Sequence, residues 1–200
     1  MAFEDDDADR LGSQGFVVLD GWLGDTHAHA LHDEHLALLE RGGFSESRVG
    51  HRSQRQHAPA IRSDRTCWFD DDDDAAHGPE VAHLLACLHG LRASLNASCF
   101  LSLTEIECHA ACYEPGSAYD AHFDAFDDDD ARVISFSHYL NAGWVDVDGG
   151  CLRMHDNNHE TDIEPLFDRL VIFQSRSMRH EVRPVARRRF STTGWMRARG

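Results

Sequence analysis

His122 and Asp124 stand two residues apart in Ala121-His122-Phe123-Asp124, and His180 follows 56 positions after Asp124 in Met178-Arg179-His180-Glu181-Val182. On an extended strand, residues i and i+2 project to one face, so this imidazole and this carboxylate point side by side into one space. His180, in a second strand-like run, offers a third ligand. Two histidines and a carboxylate on one side of a metal leave the opposite positions open, the arrangement in which Fe(II) handles oxygen. In a chain with 15 histidines and 35 acidic residues, His-x-Asp alone is weak evidence. The remaining histidines carry less still. His27, His29, His32 and His35 share a helical segment without a His-Glu-x-x-His spacing, and His83 and His89 lie six apart on another. His155 and His159 flank an Asn-rich turn; all of these read as surface or half-buried side chains.

Strands must hold the three ligands, and the chain supplies them late. The first ten residues are polar and read as frayed. An apolar run at 16–19 reads as a strand. Asp25 then looks like an N-cap, with Ala28, Leu31, His35, Leu38 and Leu39 on one helical stripe ending at Gly42-Gly43. Residues 43–65 are polar and weakly periodic, a long loop or irregular hairpin. A strand at 66–69 closes on the run Asp70 to Asp74, read as a solvated turn. A second helix starts at Pro79 and carries Val81, Leu84, Leu85, Leu88, Leu91 and Leu95. Residues 103–112 alternate, with Glu105, Glu107 and His109 on one face and Ile106, Cys108, Ala110 and Cys112 on the other. Further strands are expected at 132–140, 150–155, 169–174, 179–183 and 189–197, separated by Gly149-Gly150 and Asp156-Asn157-Asn158. Short strands at such spacing favour a sandwich or barrel, with the two helices on one outer face.

Composition removes several classes. Nineteen basic against 35 acidic residues give a net charge of −16, which argues against nucleic-acid backbones and anionic membranes as partners. All 19 basic residues are arginine. No apolar run approaches the ~18–20 residues of a membrane span, and the acidic start Met1 to Asp7 is unlike a secretory leader. Six cysteines without a Cys-x-x-Cys pair read as free thiols in a reducing compartment, so the expected location is cytoplasmic.

The text around the ligands is more specific than the ligands themselves. Ala111-Cys112-Tyr113-Glu114-Pro115-Gly116 leads into His122, and Tyr139-Leu140-Asn141-x-x-Trp144 follows it. Then come Gly149-Gly150-Cys151-Leu152-Arg153, Ile163-Glu164-Pro165-x-Phe167-Asp168-Arg169-Leu170 and Arg189-Phe190-Ser191-Thr192-Thr193-Gly194-Trp195. In these runs the chain resembles prolyl 4-hydroxylases, particularly the hypoxia-inducible-factor prolyl hydroxylases and their bacterial relatives. The likeness covers about 103–197, with an echo at Ile61-Arg62-x-Asp64-x-x-x-Trp68.

That resemblance implies a mainly β fold with N-terminal helices around a double-stranded β-helix, or jelly-roll, core. It implies Fe(II), with 2-oxoglutarate and O₂ as cosubstrates and ascorbate as reductant. His122, Asp124 and His180 would bind iron, and Arg189 would pair with the distal carboxylate of 2-oxoglutarate. Tyr139 would be its hydrogen-bonding partner, Tyr113 would reach the iron side, and Leu152 and Trp195 would wall the cosubstrate. Arg62, Asp64 and Arg132 would contact substrate. Residues 1–200 are expected to form one domain, with a helical support and lid segment at about 20–100 and the jelly roll at about 103–197. The charges agree: Fe(II) with one aspartate and two neutral imidazoles is +1, Arg189 adds +1, and the dianion brings the sum to zero.

The leading functional expectation is hydroxylation of a prolyl residue in an intracellular protein or peptide, with 2-oxoglutarate converted to succinate and CO₂. Two alternatives stand beside it: a hydroxylase of a free amino acid or other small molecule, and a non-catalytic metal-binding jelly roll. The run Asp127 to Asp130 is expected as a solvated loop near the metal mouth. Asp64→Arg is expected to spare substrate-independent decarboxylation and to reduce its stimulation by the true substrate. Tyr119, at odd parity to His122, is expected to pack outside.

Overall fold

The computed structural model describes residues 3–47, 58–69, 78–125, 131–156 and 159–198. The runs Asp70 to Asp74 and Asp127 to Asp130, Asn157-Asn158 and residues 48–57 of the 43–65 segment fall outside the described residues. Three helices come early: α1 (Asp5–Gln14), α2 (Asp25–Glu40) and α3 (Pro79–Ser98). Around and after them run β1 (Phe16–Asp20), β2 (Ser45–Glu46), β3 (Arg65–Phe69), β4 (Leu103–Tyr113), β5 (Tyr119–His122) and β6 (Arg132–Tyr139). The chain ends in β7 (Leu152–Asp156), β8 (His159–Ile163), β9 (Arg169–Gln174), β10 (Arg179–Val182) and β11 (Arg189–Ala198).

Seven strands form a major antiparallel sheet in the order β1-β9-β6-β11-β4-β3-β2, and four form a minor one in the order β5-β10-β7-β8. Side chains of both sheets, among them Tyr113, Tyr139, Leu152, Met154, Val171 and Val182, share one buried cluster between them. This is the expected jelly roll.

Period-two alternation sorts the major sheet into two faces. On β4, Ile106, Cys108, Ala110 and Cys112 pack outward with the helices, and β11 sends Phe190 and Met196 the same way. The apolar stripes read from sequence on α2 and α3 meet them: Ala28, Leu31 and Leu38, and Val81, Leu84, Leu88 and Leu95, are all buried there. The other parity of β4 and β11 is left for the interior of the roll.

Four local expectations change. Residues from Asp5 on are not frayed, because α1 buries Leu11 and ends on Gly15, which takes a left-handed φ of 79° and donates its N–H to the Leu11 carbonyl. Helix α2 does begin at Asp25, so Gly24 rather than Asp25 is its N-cap, and no side chain caps its first turn. The Asp168 carboxylate accepts from the backbone N–H of Leu23 at 2.9 Å and of Gly24 at 2.8 Å. His35 is fully buried rather than half-buried, with Nε2 3.0 Å from the Thr192 hydroxyl. Strand β8, fully polar except Ile163, had no hydrophobic signal to reveal it.

Candidate active site

His122 ends β5 and His180 lies on β10, directly paired across the minor sheet. Asp124 does not extend β5; it sits in a bend just beyond it and is only 8% exposed. The bend, not strand parity, brings the carboxylate in. One ligand atom from each of His122, Asp124 and His180 falls within 4.8 Å of the others. His122 Nε2 is 3.5 Å from Asp124 Oδ1, and His180 Nε2 is 3.5 Å from Oδ2.

Both imidazoles are oriented from behind. His122 Nδ1 donates to the Asp120 carbonyl at 2.7 Å and His180 Nδ1 to the Met178 carbonyl at 3.1 Å. A carbonyl can only accept, so the proton is on Nδ1 and each Nε2 lone pair faces the centre. Burial pushes the His180 pKa down to about 4, against the pull of Asp124, so it is neutral near pH 7. Burial opposes ionisation of Asp124, but His180, His122 and the Ser135 hydroxyl outweigh it and hold the carboxyl well below the usual range. Two imidazole nitrogens and a carboxylate with ligand atoms within 4.8 Å of one another fit a divalent cation such as Fe(II).

Arg189 lies at the opposite end of β11's inward face, 2% exposed. Its guanidinium stacks near the rings of Tyr139, at 4.8 Å, and Tyr113, at 5.1 Å. Its one side-chain bond is long, 3.5 Å to the Ser191 hydroxyl, and it has no ion pair among the described residues. Arg189 Nε and the buried Tyr139 hydroxyl have no partner with hydrogen-bonding geometry. A buried cation without an anion is costly, so these donors fit a carboxylate brought by a ligand. Arg187 and Arg188 are engaged elsewhere, on the Ala142 and Gly143 carbonyls and on Glu114, which leaves Arg189 as the inward residue that the alternation indicated.

One pocket joins the two ends. Arg189, Ser191, Thr193 and Trp195 line it from β11, Tyr113 and His109 from β4, and Leu152 and Val182 from the minor sheet, with all three members of the triad. Tyr119 also lines it, stacked on His122 at 3.8 Å, contrary to the expectation that it packs outside. A bulge is the reason. Two residues of β5, Asp120 and Ala121, oppose one of β10, Glu181, between the pairs His122–His180 and Tyr119–Val182, which reverses the parity.

The three residues assigned to substrate have distinct positions. Arg62 lines the pocket and lies over the Tyr119 ring at 4.8 Å. Asp64 faces no substrate, because its side chain is wholly buried and binds Arg62 through both oxygens at 2.6 and 2.9 Å. Arg132 stacks on Trp195 at 3.6 Å, pairs with Glu107 and donates to the Asp124 carbonyl at 3.4 Å. Sequence reasoning missed His109, although it shares the parity of Tyr113 on β4, and missed Ser135, which shares the parity of Tyr139 on β6. Alternation could have found both.

Comparison with known proteins agrees with this geometry. The family model for the 2OG-Fe(II) oxygenase superfamily matches residues 108–197. A *Pseudomonas putida* prolyl-4-hydroxylase structure superposes with a TM-score of 0.86 at 35% identity, over 98% of this chain and 99% of that one. A *Trichoplax adhaerens* prolyl hydroxylase, solved in complex with a hypoxia-inducible-factor oxygen degradation domain peptide, gives 0.86 at 28% identity, over 96% and 87%. The hypoxia-inducible factor prolyl hydroxylase of *Caenorhabditis elegans* is 32% identical over 194 residues, 92% of this chain. This chain spans 27% of that relative's length, and 44% of the human Egl nine homolog 1. The jelly-roll fold and the pocket with its His-Asp-His triad match the 2OG-Fe(II) oxygenase superfamily. Within the 2OG-Fe(II) oxygenase superfamily, the chain belongs to the prolyl 4-hydroxylase family.

Proposed function

We propose that this chain is a prolyl hydroxylase that acts on a polypeptide, using Fe(II), 2-oxoglutarate and O₂. One observation carries the reading: a single pocket has a His-Asp-His triad at one end and, at the other, a buried guanidinium without an anion among the described residues. When bound, the iron and its cosubstrates supply two-electron oxidation of a C–H bond to C–OH, with 2-oxoglutarate decarboxylated to succinate. His122, Asp124 and His180 would hold the metal. Arg189 and the Tyr139 hydroxyl would hold the far carboxylate, and Leu152 with Trp195 would wall the chain between. A charge-assisted bidentate pair there adds geometry and about 1.5–3 kcal/mol. Burial keeps the Tyr139 and Tyr113 hydroxyls protonated, so both act as hydrogen-bond donors.

Three large apolar side chains beside the pocket support a polypeptide over a small molecule. Ile61, next to Arg62, is 45% exposed, Trp68, stacked on Trp195 and tilted against His109, is 38% exposed, and Phe123, between two ligands, is 46% exposed. An enclosed small substrate gives no reason to leave them in water. The reading as a non-catalytic metal site leaves the Arg189–Tyr139 end without a purpose. The 200 residues are proposed to act as one unit, with ascorbate as reductant on the strength of the family resemblance. A reducing compartment such as the cytosol suits the six free thiols. Among the described residues, no helix is long and apolar enough to cross a membrane.

The test is mass spectrometry on proline-containing peptides incubated with the enzyme, with succinate measured alongside. A +16 Da shift on proline, with succinate stimulated by the same peptide, is the expected result. Turnover stimulated only by a free amino acid would favour the small-molecule reading. Anaerobic absorption with Fe(II) and 2-oxoglutarate separates both from a structural metal site, which would give no charge-transfer band.

A further inference from the structure

We propose that Ser135 and Ser175 form a hydroxyl relay that positions Asp124 as a one-oxygen metal ligand; the proposal rests on the metal-binding reading of the triad above. Ser135, on the inward face of β6, and Ser175, just after β9, are 1% and 0% exposed. Ser135 Oγ lies 2.7 Å from Asp124 Oδ2, and Ser175 Oγ lies 2.8 Å from Ser135 Oγ. An ionised carboxylate has no hydrogen to give, so Ser135 donates its only hydrogen to Asp124. Ser175 must then be the donor to Ser135. Two hydroxyls in series polarise each other in a buried site, which strengthens the terminal bond to the carboxylate.

Ser175 is also tied through its backbone. Its N–H donates to the Val133 carbonyl at 3.1 Å, and its carbonyl accepts from the Ala125 N–H, next to Asp124, at 3.2 Å. It lies five residues before His180, in the turn whose Met178 carbonyl accepts from His180 Nδ1. One residue therefore links the bend that carries the carboxylate to the turn that orients the second histidine. With Oδ2 engaged by Ser135, Oδ1 is the oxygen that no hydroxyl engages among the described residues. Chelation of the metal by both oxygens would compete with the Ser135 bond. A single-oxygen carboxylate keeps an additional coordination position open, which suits a centre that must accept both a cosubstrate and O₂.

Metal binding without cosubstrate is the readout, followed by Co(II) titration of the purified chain and its d–d absorption. Ser135→Ala is expected to weaken Co(II) binding on the order of 10- to 100-fold and to change the d–d band. Ser135→Thr, which keeps the hydroxyl, should restore both. Ser175→Ala leaves the Ser135–Asp124 bond in place and should cause a smaller loss in the same direction. In an Asp124→Ala background, Ser135→Ala should add nothing. Ser135→Ala protein with wild-type Co(II) affinity and d–d band would overturn the relay, as would an undiminished further loss in the Asp124→Ala background. Wild-type protein that binds no Co(II) through His122 and His180 would overturn the triad reading, and the relay with it.

Discussion

The two ends of the pocket are built on opposite principles. At the triad end, each ligand is held by the protein's own hydrogen bonds: His122 by Asp120, His180 by Met178 and Asp124 by Ser135. At the Arg189 end, Arg189 Nε and the Tyr139 hydroxyl have no hydrogen-bond partner among the described residues, and the guanidinium's one side-chain bond, to Ser191, is long. The difference follows from what each end binds. A metal needs lone pairs aimed at one point, and only outside bonds can aim them. A dicarboxylate brings its own acceptors, so donors satisfied by the protein would have to be broken before it could bind.

The largest effect expected from this contrast is at the triad. His180→Ala or His122→Ala should abolish turnover and reduce divalent-metal binding together, while Asp124→Ala removes the only anionic ligand and should also stop hydroxylation. Full succinate formation by either histidine variant would break the assignment. Arg189→Ala should separate the ends. Losing one partner of a buried charge pair costs about 3–5 kcal/mol, so 2-oxoglutarate binding should weaken at least ~100-fold. Mn(II) affinity should stay near wild type, as read by EPR titration. Arg189→Lys should fall between, because an ammonium cannot match the planar fork.

A smaller effect is expected at the mouth. Asp64 acts through Arg62, whose charge it stabilises against the cost of burial. Asp64→Asn should therefore lower peptide-stimulated turnover while peptide-independent decarboxylation and 2-oxoglutarate binding stay close to wild type. Asp64→Arg is a poorer probe, since it would set a second buried cation against Arg62 and is expected to destabilise the fold. Equal loss of both activities in Asp64→Asn would make the pair purely structural.

The smallest effect lies behind the sheet, where β11 meets α2. Burial lowers the His35 pKa from 6.5 to about 3. Below pH 6.5 the unfolded chain takes up a proton that folded His35 refuses. Its contribution to stability is therefore complete above that pH and is lost as pH falls toward 3. The slope is at most about 1.4 kcal/mol per pH unit for one group. Urea midpoints measured from pH 7.5 to 5 should fall less steeply for His35→Gln than for wild type; an unchanged slope would assign the titration to other groups.

Much of this was legible in sequence because it depends on periodicity. Leu84, Leu88, Leu91 and Leu95 announce α3, and the even and odd residues of β4 announce two faces. The inward direction of Arg189, Ser191 and Thr193 follows from the same rule. The triad together with the ordered runs 111–116, 139–144, 149–153, 163–170 and 189–195 indicated the family.

Where periodicity breaks, sequence reasoning lost the chain. A bulge in β5 turned Tyr119 inward, and a bend after it, rather than a strand, delivered Asp124. Partners distant along the chain were equally invisible: Asp168 binds the Gly24 N–H at the approach to α2 from 144 residues away, and Ser175 reaches Ser135 across 40. The sequence by itself determined which residue types were available and which face of each regular element they occupied, because those follow from local geometry. Only the tertiary structure decided which oxygen of Asp124 is held, that Asp64 serves Arg62, and that Arg189 has no anion among the described residues, because each depends on which distant groups share one buried space.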